Sequence, residues 1–248
     1  MHQDSNALPL QGKAALVTGG ARRIGLSIAR ALAKAGAGVT VTWLNSRQEA
    51  EAAVAELEAL GCRAQALACD VRSEDSVRAA VAAAHSFHGR LDILVNNAAV
   101  FQSAPLDQIT LDDWDKVFAT NTRGPFLVAR TALPHLRQAN GRIVNIGSLG
   151  GIHAWAGHAH YCASKAALHM LTQAMAKAFA PTVSANCVAP GWIQMEDSNA
   201  TEAARFAAKT PMGRNGSAPD IAQAVLYFAT STGFVTGQTL VVDGGLGL

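Results

Sequence analysis

The sequence predicts one doubly wound α/β domain over residues 1–248, with a seven-stranded parallel sheet and helices on both faces. Short apolar runs alternate with longer helix-like runs along the chain, a pattern typical of parallel strands that are buried on both faces. With 248 residues, half of them hydrophobic, the chain is long enough to bury one full core. Because no repeat, low-complexity tract or linker interrupts the alternation, we expect a single domain.

Seven short apolar runs predict the strands, at Ala14–Thr18, Val39–Trp43, Arg63–Ala68, Ile93–Val95, Arg142–Ile146, Val183–Val188 and Thr239–Val242. Six longer runs between them predict the helices, at Ile24–Ala35, Gln48–Leu60, Glu74–Phe87, Leu111–Ala139, Ala159–Ala180 and Pro219–Ala229. The segment Gly191–Ser217 has no regular pattern and is expected to cover a cleft.

The composition argues against several classes of protein. A net charge of +2 is too small to favour nucleic acid or a membrane surface as a partner. The four cysteines lack metal-like spacing and are interpreted as buried or half-buried free thiols in a reducing compartment. Residues Met1–Gln11 are polar and do not resemble a signal peptide, and no later run is long and apolar enough to cross a membrane. We therefore expect a soluble cytoplasmic protein.

Tyr161 and Lys165 form the most informative pair. They are four residues apart in an Ala-rich run, which favours a helix and places both side chains on one of its faces. A free phenol titrates near pH ~10, and a neighbouring ammonium favours the phenolate, so such a tyrosine can exchange a proton at neutral pH. The same spacing occurs by chance on many helices, so its interpretation depends on the rest of the chain.

The turn after the first strand, from Thr18 to Gly25, is rich in glycine. It precedes a helix whose Ile24, Ile28 and Leu32 form an apolar stripe. Small glycines let the backbone approach a pyrophosphate, and the helix N-terminus offers free N–H groups to it. The strict dinucleotide-binding spacing is absent, so the prediction of nucleotide binding depends on the position of this turn after strand one.

The end of the second strand favours NADPH over NADH. An NAD site has a carboxylate there for the ribose hydroxyls, but the first acid after Trp43 is Glu49. Arg23 and Arg47 are instead expected to face a 2′-phosphate, which a guanidinium binds with two hydrogen bonds. An alternative stays open, because Ser46 and Glu49 fit a helix capping box, and a capped helix end is itself an anion site.

Two polar segments follow the third and fourth strands. Asp70, before Val71, can accept a hydrogen bond from an adenine amino group or cap the next helix, for which Ser73 is the better candidate. Asn96 and Asn97 can bind backbone or cofactor where the fourth strand ends, and the alanines that follow leave room. By themselves these two asparagines are more often turn formers.

From about Lys13 to Leu246 the chain resembles the short-chain dehydrogenase/reductase family. The matching pieces, in the family's order, are Thr18-Gly19 through Ile24-Gly25, Asp70, Asn96-Asn97-Ala98, Asn121, Ser148, Tyr161 with Lys165, Pro190-Gly191 and Asp243-Gly244-Gly245. Where most members carry a third glycine in the first turn, this chain has Arg23. The resemblance implies a Rossmann-like fold, an NADPH/NADP cofactor and a homotetramer.

The resemblance also implies a role for each matching side chain. Tyr161 would be the acid/base, Lys165 would lower its pKa and hold the nicotinamide ribose, and Ser148 would bind the substrate oxygen. Asn121 would hold a water that links Lys165 to solvent. These roles suit hydride transfer to a carbonyl, whose oxygen gains negative charge and needs a proton. The cofactor-binding residues expected on this basis are Gly19, Arg22, Arg23, Ile24, Gly25, Asn45, Ser46, Arg47, Asp70, Val71, Asn97, Ala98, Ala99, Tyr161, Lys165, Pro190, Gly191 and Ile193.

A narrower resemblance is to the pteridine reductase and dihydromonapterin reductase branch. It rests on three segments, Gly20–Gly25, Ala180–Val183 and Phe234–Gly237. Phe101 falls where that branch places an aromatic against the pterin ring, although it is equally interpreted as an ordinary pocket residue. The chain departs from the branch at Ser148, where an Asp is expected. It departs from the wider family at Gln194, where a Thr often touches the nicotinamide amide.

Substrate contacts are expected from Ser148, Phe101, Trp155 and Trp192, which should border the cleft. Three histidines lie between Ser148 and Tyr161, at His153, His158 and His160. They have no spaced carboxylate or cysteine partner, so we expect no metal.

The sequence thus predicts an NADPH-dependent reductase of a ketone or 3-oxoacyl thioester. A pteridine reductase acting on a dihydropterin or dihydrofolate is the alternative. A dinucleotide-sensing regulator on the same fold is a third hypothesis, but a sensor has no need of the complete set Ser148, Tyr161 and Lys165. The physiological substrate, the stereochemistry and the direction of flux do not follow from the residues.

Overall fold

Seven parallel strands form one sheet in the computed structural model, which describes residues 7–248. The strands are β1 (Ala14–Val17), β2 (Gly38–Trp43), β3 (Ala64–Ala68), β4 (Ile93–Asn96), β5 (Arg142–Ile146), β6 (Ser184–Pro190) and β7 (Thr239–Val242). Their order across the sheet is β3-β2-β1-β4-β5-β6-β7, and every neighbouring pair is parallel. The order reverses between β1 and β4, so a ligand crevice lies at their carboxyl ends. The predicted doubly wound, Rossmann-like fold is confirmed.

Among residues 7–248, eight α-helices connect the strands: α1 (Arg23–Lys34), α2 (Arg47–Ala59), α3 (Glu74–His88), α4 (Leu111–Phe118), α5 (Gly124–Gln138), α6 (Ala159–Phe179), α7 (Ala200–Lys209) and α8 (Ala218–Thr230). Five of the six predicted helices agree with these bounds to within about a residue at each end. The strands agree similarly, except that β6 continues to Pro190, because its last residues still pair with β7.

Three sequence-based expectations need correction. The predicted helix Leu111–Ala139 is divided into α4 and α5 by a π-helical turn at Ala119–Arg123. The irregular segment Gly191–Ser217 contains α7, an amphipathic helix that begins at the side-chain cap of Asn199. Ser46 precedes α2 but its side chain caps no amide, so the capping box with Glu49 does not form. By contrast, Ser73 caps α3 as predicted.

The core consists of two apolar clusters on opposite faces of the sheet. Successive residues of a strand point to opposite faces, and accordingly Val17 joins one cluster with Ile28 and Phe228, whereas Leu16 joins the other with Leu136. Helices α1 and α8 pack on the first face and α3 and α5 on the second. Burial of this kind stabilises a fold by roughly 25 cal/mol per Å² of apolar surface, and it anchors the strand ends that carry the polar residues of the crevice.

The four cysteines are free and buried, as predicted. No helix among residues 7–248 combines the length and the apolar character that a membrane span requires. The N-terminal Met1–Asn6, part of the segment compared with signal peptides, lies outside the described residues.

Candidate active site

Tyr161 and Lys165 lie on one face of α6, at the carboxyl edge of the sheet. Burial raises the pKa of Tyr161 above its usual value, and a hydrogen bond with the Ser148 side chain lowers it. Lys165 is buried and donates from Nζ to the carbonyl oxygen of Ile146 across 2.7 Å. Its burial lowers the pKa of Lys165 to about 8, while the neighbouring Cys187 raises it. The pKa of Tyr161 is therefore raised and not lowered as expected, because the effect of burial is larger than that of the Ser148 hydrogen bond.

Ser148 lies in the turn that follows β5, and its own oxygens accept two hydrogen bonds within that turn. Its hydroxyl accepts a hydrogen bond from the Gly150 amide (3.0 Å), and its carbonyl accepts one from the Gly151 amide (2.9 Å). Ser148 is buried, with 4% of its surface exposed. Because the hydroxyl oxygen already accepts from Gly150, its own hydrogen is left to donate towards Tyr161 or a substrate oxygen.

Asn121 lies in the π-helical turn between α4 and α5. Its side-chain amide makes a two-way contact with the backbone of Val100, accepting from the amide (2.8 Å) and donating to the carbonyl (2.9 Å). It also donates to the Ser164 hydroxyl on α6 (3.1 Å). Single π turns are frequent at functional sites, and this one ties the loop after β4 to the helix that carries Tyr161.

The glycine-rich turn after β1 is held against the end of β4. The Asn97 side chain donates to the carbonyls of Thr18 (2.9 Å) and Gly19 (3.0 Å), and the Thr18 hydroxyl accepts from the Asn97 and Ala98 amides. A Cβ at Gly25 would collide with the Gly19 carbonyl, so only glycine permits this approach. The first helical amides of α1 remain available to a ligand. The cradle therefore fits the pyrophosphate of a dinucleotide.

The arginines predicted to bind a 2′-phosphate both lie in ion pairs on the surface. Arg23 has a positive φ of 52° and pairs with Asp197 (2.5 Å), and Arg47 pairs with Glu51 one turn along α2 (2.9 Å). Exposed pairs of this kind contribute about 0–1 kcal/mol, so an incoming phosphate can compete for either guanidinium. The other residues predicted at this edge are Arg22 and Asn45, which are exposed, and Ser46 and Ile24, which are half-buried.

The carboxylate of Asp70 already accepts hydrogen bonds from a neighbouring residue. Arg72 donates to both carboxylate oxygens (2.9 and 2.7 Å), and its amide donates to Oδ1, so the pKa of Asp70 is lowered, chiefly by the Arg72 hydrogen bonds. An adenine amino group would have to share this carboxylate with Arg72. Val71 beside it is buried and packs closely against Gly124.

Aromatic side chains surround Tyr161 on the substrate side. Phe101, 60% exposed, meets the Tyr161 ring edge-to-face at 4.8 Å between centroids and stacks on His158 at 4.6 Å. Trp155 lies parallel to the Tyr161 ring at 6.4 Å. The predicted substrate residues Phe101, Trp155 and Ser148 thus come together at the phenol.

Trp192 belongs to a different aromatic pair, on the segment after β6. It stacks on Phe206 of α7 at 5.2 Å, and Ile193 forms an isolated bridge with Gly216. Gly191 packs closely against Asp243, beyond β7. The predicted cofactor contacts Pro190, Gly191 and Ile193 thus lie where the chain leaves β6 and enters the segment that precedes α7.

His169 is the residue that the sequence reasoning missed. It lies one turn after Lys165 and two turns after Tyr161 on α6, and its Nε2 accepts from the Ser148 amide (3.4 Å). The same spacing that identified the pair, extended by four residues, would have indicated it. His153, His158 and His160 do not form a metal site, and no group of three His, Cys, Asp or Glu side chains in residues 7–248 is placed to hold a metal ion.

The comparisons with known proteins agree with this geometry. Residues 19–247 match the family model described as enoyl-(acyl carrier protein) reductase. The 3-oxoacyl-[acyl-carrier-protein] reductase FabG of Staphylococcus aureus is 38% identical over 240 residues, which cover 94% of this chain and 98% of the relative.

Solved structures cover nearly the whole chain. A short-chain dehydrogenase/reductase from Serratia marcescens is 37% identical, with a TM-score of 0.92 over 97% of this chain and all of that one. A gluconate 5-dehydrogenase from Burkholderia cenocepacia in complex with NADP and tartrate is 36% identical, with a TM-score of 0.90 over 97% of each chain.

Proposed function

The chain belongs to the short-chain dehydrogenase/reductase family, and from that premise we propose that it reduces a ketone or 3-oxoacyl thioester with NADPH in a single catalytic domain. The observation that carries the proposal is the juxtaposition of Ser148 and Tyr161, with a hydroxyl hydrogen of Ser148 left to donate. The FabG relative, named as a 3-oxoacyl reductase, supports the substrate class.

The cofactor is NADP(H), as in the Burkholderia structure. When bound, it supplies the hydride. The turn from Gly19 to Gly25 would hold its pyrophosphate, and Arg23 and Arg47 would bind its 2′-phosphate. The remaining expected contacts are Asp70 and Val71 towards the adenine, Asn97, Ala98 and Ala99 along the end of β4, and Tyr161, Lys165, Pro190, Gly191 and Ile193 towards the nicotinamide end.

Two hydroxyls act on the carbonyl oxygen. As that oxygen gains negative charge, Ser148 donates a hydrogen bond to it and Tyr161 delivers a proton. The Lys165 ammonium favours the resulting phenolate, since its positive charge lies beside the same ring. Asn121 has its side chain engaged by Val100 and Ser164, so a water that relays protons to Lys165 would use the backbone of this π turn.

The experiment compares kcat/KM at neutral pH, with NADPH, for an acetoacetyl thioester, a simple ketone, an enoyl thioester and a dihydropterin. We expect the thioester and ketone carbonyls to be reduced fastest, because Ser148 stabilises charge on an oxygen. Preference for the enoyl thioester would contradict the proposal, even though the matching family model carries that name.

A pteridine reductase is the second candidate, favoured by the exposed ring of Phe101 beside Tyr161. A flat pterin can stack on that ring, but ring binding alone does not raise the rate. Ser148 also provides no carboxylate to hydrogen-bond or protonate the pterin. Faster turnover of the dihydropterin, with only a mild effect of Ser148→Ala, would favour this candidate.

Assembly and location complete the proposal. A homotetramer is supported by apolar side chains left exposed on α4, α5 and α6, namely Leu111, Trp114, Phe126 and Met170. A cytoplasmic location accords with four free cysteines.

A further inference from the structure

The imidazole of His169 is wedged into the turn that carries Ser148. A Cβ at Gly147 would overlap His169 Nε2, and one at Gly151 would come within 2.7 Å of His169 Cε1. Glycine therefore stands on each side of Ser148 where the ring approaches the backbone. His169 itself is largely buried, with 9% of its surface exposed.

The ring also accepts the Ser148 amide hydrogen, for which this turn offers no backbone acceptor. The Gly147 amide donates to Val188 (2.7 Å) and the Gly151 amide donates to Ser148 (2.9 Å). For the buried Ser148 amide, the acceptor among the described residues is His169 Nε2 at 3.4 Å. A buried N–H without an acceptor is costly, so loss of this nitrogen would favour rotation of the Ser148 backbone.

The imidazole is suited to accept at neutral pH. Burial, and to a smaller extent the charge of Lys165, lower the pKa of His169 to about 4. The ring is therefore neutral, and the contact with the Ser148 amide requires the tautomer that carries its proton on Nδ1.

We propose that His169 is a positioning residue, which holds the Ser148 backbone so that the serine hydroxyl faces the substrate oxygen. The inference rests on the proposed function, because it assigns Ser148 the role of binding that oxygen. His169 touches neither substrate nor cofactor in this scheme. Its effect on the rate passes entirely through Ser148.

A matched pair of variants tests the acceptor. In His169→Gln the amide oxygen is as many bonds from the backbone as Nε2, so it can still accept from Ser148. His169→Met has similar length and flexibility but places a methyl group there. We expect Met to lower kcat for an acetoacetyl thioester roughly tenfold or more and Gln to lower it by no more than about threefold, with NADPH affinity near the wild-type value in both.

The same substitutions in a Ser148→Ala background separate positioning from general damage. There the Gln and Met variants should have nearly equal kcat, because the hydroxyl they position is gone. An equal fractional loss from Met in both backgrounds would overturn the proposal, as would equal kcat for Gln and Met when Ser148 is present. If Ser148→Ala alone keeps the wild-type rate, the role that the proposed function gives to Ser148 is wrong.

Hydrogen exchange tests the positioning role of His169 without measuring catalysis, so it applies even if the protein reduces no carbonyl compound. Amide hydrogen exchange of the peptide over residues 147–152 should be faster in the Met variant than in the wild type and the Gln variant. Equal exchange in all three would overturn the inference. Thermal melting of each variant shows whether it is folded. If the Met variant does not fold, His169→Asn replaces it in the comparison with the Gln variant and the wild type, because its shorter amide should not reach Ser148.

Discussion

The ammonium of Lys165 lies 5.8 Å from the centre of the Tyr161 ring while it donates to the carbonyl oxygen of Ile146 at 2.7 Å. The Lys165 side chain thereby links α6 to Ile146, the last residue of β5. The charge acts on Tyr161 through space, without a direct hydrogen bond, so its influence depends on how completely the lysine is protonated.

Tyr161→Phe should abolish most turnover and leave NADPH binding nearly intact. The phenol is proposed to deliver a proton to the substrate, and a proton donor of this kind contributes about 10²–10⁴ in rate. Steady-state kinetics and a fluorescence titration with NADPH measure the two effects. A variant that turns over at nearly the wild-type rate would contradict the assignment.

Lys165→Met should change how stability depends on pH. Because the pKa of Lys165 is lowered from 10.5 to about 8, the unfolded chain holds more protons between these values, and the wild type gains stability as pH rises through this window. The variant lacks that gain, which is on the order of 3 kcal/mol. The unfolding free energy of the variant relative to the wild type should therefore fall between pH 8 and 10.5.

Urea denaturation at several pH values tests this expectation. Lys177→Met is the matched control, since Lys177 lies exposed on the same helix. A difference between the Lys165 variant and the wild type that stays constant with pH would show that the ammonium is not held at a lowered pKa.

Arg23→Ala and Arg47→Ala should each weaken NADPH binding and leave NADH binding nearly unchanged. Loss of one charged hydrogen bond to phosphate costs about 1.5–3 kcal/mol, or roughly ten- to a hundredfold in Kd. Titration with both cofactors measures this selectivity. Arg137→Ala, on an exposed residue near the end of α5 at the opposite edge of the sheet, serves as the control.

Equal losses for the two cofactors would show that neither guanidinium recognises the 2′-phosphate. Asp197→Asn adds an independent check on Arg23. Removal of its ion-pair partner frees the guanidinium, so NADPH affinity should rise by up to about fivefold, in keeping with an exposed pair of about 1 kcal/mol or less.

Light scattering at micromolar concentration should give the mass of four chains. Met170, 64% exposed on α6, and Leu111, 82% exposed on α4, leave apolar surface for a partner subunit to cover. Met170→Lys should reduce the mass, because a charge buried in an interface without a partner is costly. A monomeric mass for the wild type would contradict the expected tetramer.

The sequence by itself determined the fold class and the central pair. Alternation of apolar runs with helical runs is a local periodicity, and it sets which side chains of each strand and helix are buried. The spacing of Tyr161 and Lys165 is likewise local, because one helical turn places both on one face. The turn from Thr18 to Gly25 could also be located from the sequence. Its close backbone approach requires glycine at particular positions, and those glycines are visible in the sequence.

Only the tertiary structure decided the contacts between distant segments. The hydrogen bond from the Ser148 amide to His169 and the ion pair of Arg23 with Asp197 depend on where these side chains lie after the chain has packed. The π turn at Asn121 is of the same kind, because the Asn121 side chain is held by the backbone of Val100, 21 residues earlier in the chain. Burial reversed the expected direction for the pKa of Tyr161, since desolvation is a property of the packed site, and no local pattern of residues encodes it.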